Sequence, residues 1–222
     1  LSKNVTKWSY QVKGIQELDK VINKAFYIAN KGKKGAVHID IPKCISSGSI
    51  DIDNYNFIKE NTKVDRNKFS DKLKKANNFY KIAGAGDVIE MINSSEKPII
   101  YLGQGCVNSY KLLREYAIKS NIPVTSTIHG CGVFDEDHEL SLQWCGMHGS
   151  PAANLALQKA DCIIALGSRF DDRTTGNVEK YAPNTHLAYK DELKYGGIVH
   201  VNLEQSEICK VVDSQYNFNV DC

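Results

Sequence analysis

The sequence predicts an α/β protein built on a doubly wound parallel sheet. Near-continuous apolar runs of strand length occur at 98–102, 161–166 and 198–203, and they alternate with segments of helical period. Gly-rich turns follow the first two runs, at Gly103-Gln104-Gly105 and at Gly167. Such sheets bind ligands outside the carboxyl ends of their strands, which is where these turns fall.

The elements follow in order. Leu18, Val21, Ile22, Ala25, Phe26 and Ala29 recur at helical spacing and predict an amphipathic helix over 16–29, stopped by Gly32. Residues 36–41 read as a short strand ended by Pro42. From Ser46 to about residue 76, mixed charge with Ser and Asn and no periodicity reads as a linker and a domain boundary. Beyond it the pattern predicts helices over 85–92, 111–120 and 151–159, strands over 98–102, 123–127, 161–166 and 198–203, and a last helix over 206–212.

Composition narrows the function classes. At 222 residues the chain holds one large or two small units. With 28 Lys and Arg against 26 Asp and Glu, its net charge of +2 is too near neutral for a nucleic-acid surface. No run reaches the roughly 18 apolar residues that span a bilayer, so no membrane partner is expected. The chain starts at Leu1 with no basic-then-apolar segment, so no signal peptide is read; a removed leader and a piece of a longer protein both fit. The seven cysteines contain no C-x-x-C pair and read as reduced thiols serving as small core residues. The six histidines are scattered, so no metal site is expected.

Four turns can carry chemistry. Gly103 and Gly105 follow a strand, where the missing Cβ lets a phosphate or ribose approach, although a tight structural turn explains them as well. Gly146-Met147-His148-Gly149-Ser150 leads into Pro151, so Ser150 is expected to cap a helix whose N-terminus suits a pyrophosphate; plain capping is the other reading. In Gly167-Ser-Arg-Phe-Asp-Asp-Arg173, Arg169 and Arg173 can grip carboxylate or phosphate and Asp171 can accept from a ribose, against the alternative of a local ion-pair cluster. Asn202 and Glu204 suit ribose or adenine contacts, or are simply exposed at a strand end.

Several longer stretches go further. The run ELSLQWCGMHGSPAANLALQKADCIIALGSRFDDRTTGN resembles the catalytic subunit of acetohydroxyacid (acetolactate) synthase, as do GKKGAVHIDIPK, KPIIYLGQG and IPVTSTIHGCGVF. They keep the family's order and spacing from about Tyr10 to Cys222. The resemblance implies a thiamine-diphosphate enzyme that uses Mg²⁺ and joins a pyruvate-derived hydroxyethyl unit to a second 2-ketoacid, pyruvate or 2-ketobutyrate. It implies that residues 1–45 are the C-terminal part of a pyrimidine-binding domain, 46–76 a linker, and 77–222 a Rossmann-like central domain that binds FAD.

Carried over by position, the FAD contacts are Lys33, Gly103, Gln104, Gly105, Thr127, Ile128, Gly146, Met147, His148, Gly167, Ser168, Arg169, Asp171, Asn202 and Leu203. Arg173 matches the arginine that recognises the carboxylate of the second ketoacid; Met147 lines that pocket, Asp172 orients Arg173, and Lys43 stands at the channel mouth. The chain departs from the family in three places. Lys33 replaces an arginine, keeping the charge and losing the fork. Trp144-Cys145 replaces Met-Leu, and Gln104 stands where a small residue is usual. The glutamate that activates the thiazolium and the G-D-G…N-N stretch for Mg²⁺-diphosphate do not occur in the chain, so this segment alone is expected to be inactive. A homodimer or larger assembly with a regulatory subunit is expected, and the segment before Ile198 suggests a mitochondrial location, with plastid and cytoplasm as the alternatives. The alternatives are a degenerate nucleotide-binding or assembly module, and another thiamine-diphosphate carboligase or oxidase.

Overall fold

The computed structural model describes residues 2–50, 84–189 and 196–222. The chain divides into two compact units, 1–80 and 81–222. Of the linker expected over 46–76, residues 51–76 lie outside the described residues.

In the first unit, β1 (Trp8–Gln11) and β2 (Val37–Asp40) pair in parallel, from Trp8 opposite Val37 to Gln11 opposite Asp40. The helix α1 (Leu18–Asn30) connects them. It buries Val21 and Ala25 of the expected apolar stripe, while Phe26 is exposed. The helix ends where the Lys31 N–H turns back onto Tyr27 and Ile28, and Gly32 follows at φ +60°. A short helix α2 (Lys43–Ser46) starts after Pro42.

The second unit holds the expected parallel sheet. Its helices are α3 (Ala85–Ser94), α4 (Tyr110–Ser120), α5 (Pro151–Lys159), α6 (Asp172–Thr175) and α7 (Pro183–Tyr189). Its strands are β3 (Pro98–Leu102), β4 (Val124–Ser126), β5 (Ser141–Trp144), β6 (Cys162–Leu166), β7 (Gly197–Val201) and β8 (Tyr216–Phe218). They lie in the order β5-β4-β3-β6-β7-β8, every neighbouring pair parallel. Counted from β3, that is the order 3-2-1-4-5-6 of dinucleotide-binding folds, whose direction reverses between β3 and β6.

The central strands are apolar throughout because both faces of the sheet are covered. Ile100, Leu102, Ile164 and Val199 pack with Leu113 and Ala117 of α4 on one side. Ile99, Tyr101, Ile163, Ala165 and Ile198 pack with Ala153 and Leu157 of α5 on the other. Asp161, 7% exposed at the foot of β6, accepts from the N–H groups of Glu96 and Lys97 at 2.8 and 3.0 Å. It thereby ties the α3–β3 turn to the neighbouring strand.

Two expectations need correction. The helix predicted over 206–212 is one 3₁₀ turn, Gln205–Glu207. Seven residues are too few to sustain a helix alone, and Cys209 breaks the path at φ +53° while Val212 still enters the core. The cysteines are not uniformly core residues. All seven are free thiols, with Cys106, Cys145 and Cys162 buried, Cys222 intermediate, and Cys44, Cys131 and Cys209 exposed. The sequence signals neither the strands β1, β5 and β8 nor the short helices α2, α6 and α7. Three are strands of three or four residues with a polar member, so their pattern is too short to read.

Candidate active site at the carboxyl edge of the sheet

The turns after β3 and β6 meet at the point where the strand order reverses. The Gly103 N–H donates to Leu166 O at 2.8 Å, and the Gly105 N–H to Gly167 O at 3.2 Å. A Cβ on Gly103 would stand 2.1 Å from Gly167 O, and one on Gly167, at φ +60°, would stand 2.6 Å from the Gly105 Cα. The space left by these side chains is therefore filled by the opposite turn. The glycines expected to admit a ligand first admit each other, and together they form a backbone ridge. Gln104 and Gly105 are exposed on it. The chain leaves β3 through a 3₁₀ run, Gln104–Ser109, so the α4 N-terminus does not directly follow the strand end.

The β6 turn is braced from β7. His200, 1% exposed, and Asn202 both bond to Ser168 O, at 2.9 and 2.7 Å. A carbonyl only accepts, so His200 carries its proton on Nε2. Burial lowers its pKa below the usual 6.5 and keeps it neutral. The Asn202 Oδ1 accepts from the Glu204 N–H at 2.9 Å, and Asn219 donates to Asn202 O and to Leu203 O. The amide expected to meet a ribose thus has both ends engaged within the protein. Next to this brace the Ser168 hydroxyl is buried and has no hydrogen-bond partner among the described residues.

Asp171 caps α6 by accepting from the Thr174 N–H at 3.2 Å, and its other oxygen lies 3.9 Å from Arg169 Nε. Thr127, after β4, accepts from the Gly130 N–H at 3.1 Å, and Ile128 beside it is 58% exposed. Leu203 is also exposed.

The loop after β5 behaves as expected at its helix end. Ser150 accepts from the Ala153 N–H at 3.1 Å, with Pro151 in the first turn of α5. Before it, Cys145 is buried and donates to Ser126 O at 3.3 Å; burial pushes its thiol pKa up to about 12. Gly146 turns at φ +104°, where a Cβ would meet Arg173 O at 2.7 Å, and the Met147 N–H donates to that same carbonyl at 2.8 Å. Met147, 63% exposed, and His148 project outward. The Arg173 guanidinium lies 3.9 Å from the Met147 sulfur, and 3.9 Å from an Asp172 carboxylate that is itself exposed. Met147, Asp172 and Arg173 thus come together although 26 residues separate the loop from the arginine.

They border a cleft of about 330 Å³ whose wall includes Asn154, Leu157, Gln158 and Tyr181. The buried Tyr181 hydroxyl has no hydrogen-bond partner among the described residues. Burial raises its pKa and keeps it protonated. Asn154 and Tyr181 were not singled out from the sequence. The only hint for Asn154 is one polar residue inside the apolar stretch Ala152–Leu157.

Lys33 and Lys43 belong to the first unit. The Lys33 carbonyl accepts from Lys7 Nζ at 2.8 Å, and Lys43 opens α2. Among the described residues no group of three or more His, Cys, Asp or Glu side chains is disposed to hold a metal ion. Among them, too, no helix is long and apolar enough to cross a membrane.

A 3-2-1-4-5-6 parallel sheet with its polar turns on the carboxyl edge defines a doubly wound α/β domain, and the sequence matches the thiamine pyrophosphate enzyme central-domain family over residues 85–222. The chain belongs to that family. It is 38% identical over 218 residues to the mitochondrial acetolactate synthase catalytic subunit of Saccharomyces cerevisiae, covering 97% of this chain and 31% of that protein. It is 35% identical over 211 residues to the acetolactate synthase isozyme 1 large subunit of Escherichia coli (95% and 33% covered). It is also 35% identical over 215 residues to the probable chloroplastic acetolactate synthase 2 of Oryza sativa subsp. japonica (94% and 28% covered). The chain spans about a third of the length of these relatives.

Proposed function

We propose that this chain works within an acetolactate synthase catalytic subunit, condensing a pyruvate-derived two-carbon unit with a second 2-ketoacid, and that its central domain binds FAD and forms part of the second-substrate pocket. The observation that carries the reading is the meeting of Met147 and Arg173 at the mouth of the cleft, in a chain similar to acetolactate synthases across nearly its whole length. Residues 1–45 serve as the end of a first domain and 77–222 as the central domain.

The chain's own residues supply the second-substrate site. Among the described residues the guanidinium of Arg173 meets the Met147 sulfur and, loosely, the exposed Asp172 carboxylate, so re-pairing with a ketoacid carboxylate displaces little. Its planar fork grips that carboxylate at two points, and the Asp172 charge keeps it oriented. The Met147 thioether offers a deformable apolar wall for the ketoacid side chain.

The ridge fits a flavin dinucleotide. Its turns supply exposed backbone at Gln104 and Gly105, the exposed guanidinium of Arg169, and the unpartnered Ser168 hydroxyl. Thr127, Ile128, Met147, His148, Asp171 and Leu203 complete the set, while Gly103, Gly146, Gly167 and Asn202 shape the turns that present it. The flavin would act as a bound structural group whose isoalloxazine absorbs in the visible. Thiamine diphosphate is the cofactor of the family; with Mg²⁺ it would be held by residues outside this chain. Relatives that are named mitochondrial and relatives that are named large subunits support a mitochondrial location and a regulatory partner.

The test is Arg173→Ala in the complete catalytic subunit. The acceptor KM is expected to rise about tenfold to a hundredfold, the value of a lost charge-assisted bidentate contact, with FAD released by denaturation still stoichiometric. An unchanged acceptor preference would remove Arg173 from the pocket, and a folded protein free of FAD would remove the flavin.

A further inference from the structure

The cleft wall contains a side chain with both hydrogen-bonding ends committed to one glycine. The Gly146 N–H donates to Asn154 Oδ1 at 2.8 Å, and Asn154 Nδ2 donates to Gly146 O at 2.9 Å. The next N–H, of Met147, donates to Arg173 O at 2.8 Å. The peptide plane joining Gly146 to Met147 is therefore held at both ends: its carbonyl by the Asn154 amide together with the Gly149 N–H at 3.0 Å, its N–H by the arginine's own backbone. Gly146 is buried and sits at φ +104°, a conformation that only glycine adopts without strain. Asn154 itself is fixed, because it stands in the first turns of α5 and donates its backbone N–H to the carbonyl of the capping Ser150 at 3.2 Å.

We propose that Asn154 is a positioning residue for the second-substrate pocket: its amide locks the Gly146–Met147 peptide and so sets the spacing between the Met147 thioether and the Arg173 guanidinium. This rests on the reading of that pair as the ketoacid site. Asn154 touches no reacting atom. It acts through the loop: without it the buried Gly146 N–H loses its partner among the described residues, the Gly146 carbonyl keeps only its bond from the Gly149 N–H at 3.0 Å, and the peptide is held less firmly against Arg173.

The experiment uses Asn154→Ala and Asn154→Asp in the complete catalytic subunit, with Asp161→Asn as a latch of similar kind at the α3–β3 turn, outside the pocket. Asn154→Asp keeps shape and an acceptor for the Gly146 N–H, and a carboxylate suits the start of a helix, so it folds while setting an oxygen against the Gly146 carbonyl. Hydrogen exchange read on peptides covering 145–150, and acceptor KM and kcat, are measured for each. Exchange at Met147 is expected to quicken about tenfold or more in both Asn154 variants. The acceptor KM is expected to rise about tenfold with kcat changed less, and Asp161→Asn is expected to lower Tm without moving either quantity. Unchanged exchange at Met147 overturns the proposal whatever Arg173 does. Faster exchange with an unchanged acceptor KM, while Arg173→Ala raises it, makes Asn154 a stabilising latch only and also overturns it. If Arg173→Ala leaves the KM unmoved as well, the ketoacid reading falls and the positioning role falls with it.

Discussion

The ridge between β3 and β6 and the cleft beside β5 lie on the same edge of one sheet, yet they are built in opposite ways. At the ridge, backbone meets backbone: Gly103, Gly105 and Gly167 fill one another's side-chain space, and His200 and Asn202 brace the second turn from behind. At the cleft the backbone of the loop is latched by Asn154 and Arg173 O, while the Met147 and Arg173 side chains stand exposed and loosely paired. On the proposed reading, the ridge would hold a large flat ligand in one place and gain from having no moving side chains, and the cleft would accept and release small acids and gain from groups that re-pair at little cost.

Breaking the ridge is expected to give the largest effect. Gly103→Ala places a Cβ 2.1 Å from Gly167 O, where only backbone can yield. A loss of about 3 kcal/mol or more is expected, at the upper end for overpacked sites, and, if the proposed flavin site holds, loss of FAD with it; chemical denaturation of the purified protein checks the stability. Arg173→Ala probes the other side of the contrast and should shift unfolding free energy by less than about 0.5 kcal/mol, since its ion pair with Asp172 is exposed on both sides.

A pH series sharpens the role of the brace. His200 has a lowered pKa in the folded state, so its stabilising contribution is full above about 6.5 and is lost as pH falls toward the folded value. Urea unfolding at several pH values should show this loss, and His200→Gln should reduce it. The smallest effect is chemical. Burial lifts the Cys145 and Cys162 thiols to about 12, so a maleimide at pH 7 should label Cys44, Cys131 and Cys209 rapidly and leave Cys106, Cys145 and Cys162 unreacted until unfolding. Labelling of Cys145 before Cys106 in the native state would mean that the cleft loop opens on its own while the ridge stays shut.

Much of this arrangement was legible beforehand. The apolar runs at 98–102 and 162–166 are strands because residues at both parities meet a covered face, and period alone reveals that. Ser150 and Pro151 announce the start of α5, since capping is a local interaction. The likeness of GMHG and RFDDR to a known enzyme pointed to the residues that the fold brings together around the cleft. Short elements escaped, as with β8, whose three residues become a strand only through pairing with Val199–Val201. The helix expected over 206–212 failed for the converse reason: its apolar residues reach the core without helical spacing being required.

By itself, then, the sequence determined the class of sheet, the sites of its turns and the family, because these depend on periodicity, capping and local identity. Tertiary structure alone decided what each turn residue does. Gly103 faces Gly167 across 64 positions, Asn202 meets Ser168 across 34, and Met147 meets Arg173 across 26. Hydrogen bonding and steric exclusion act over a few ångströms, so partners this far apart along the chain are specified only once the strands have brought their ends together.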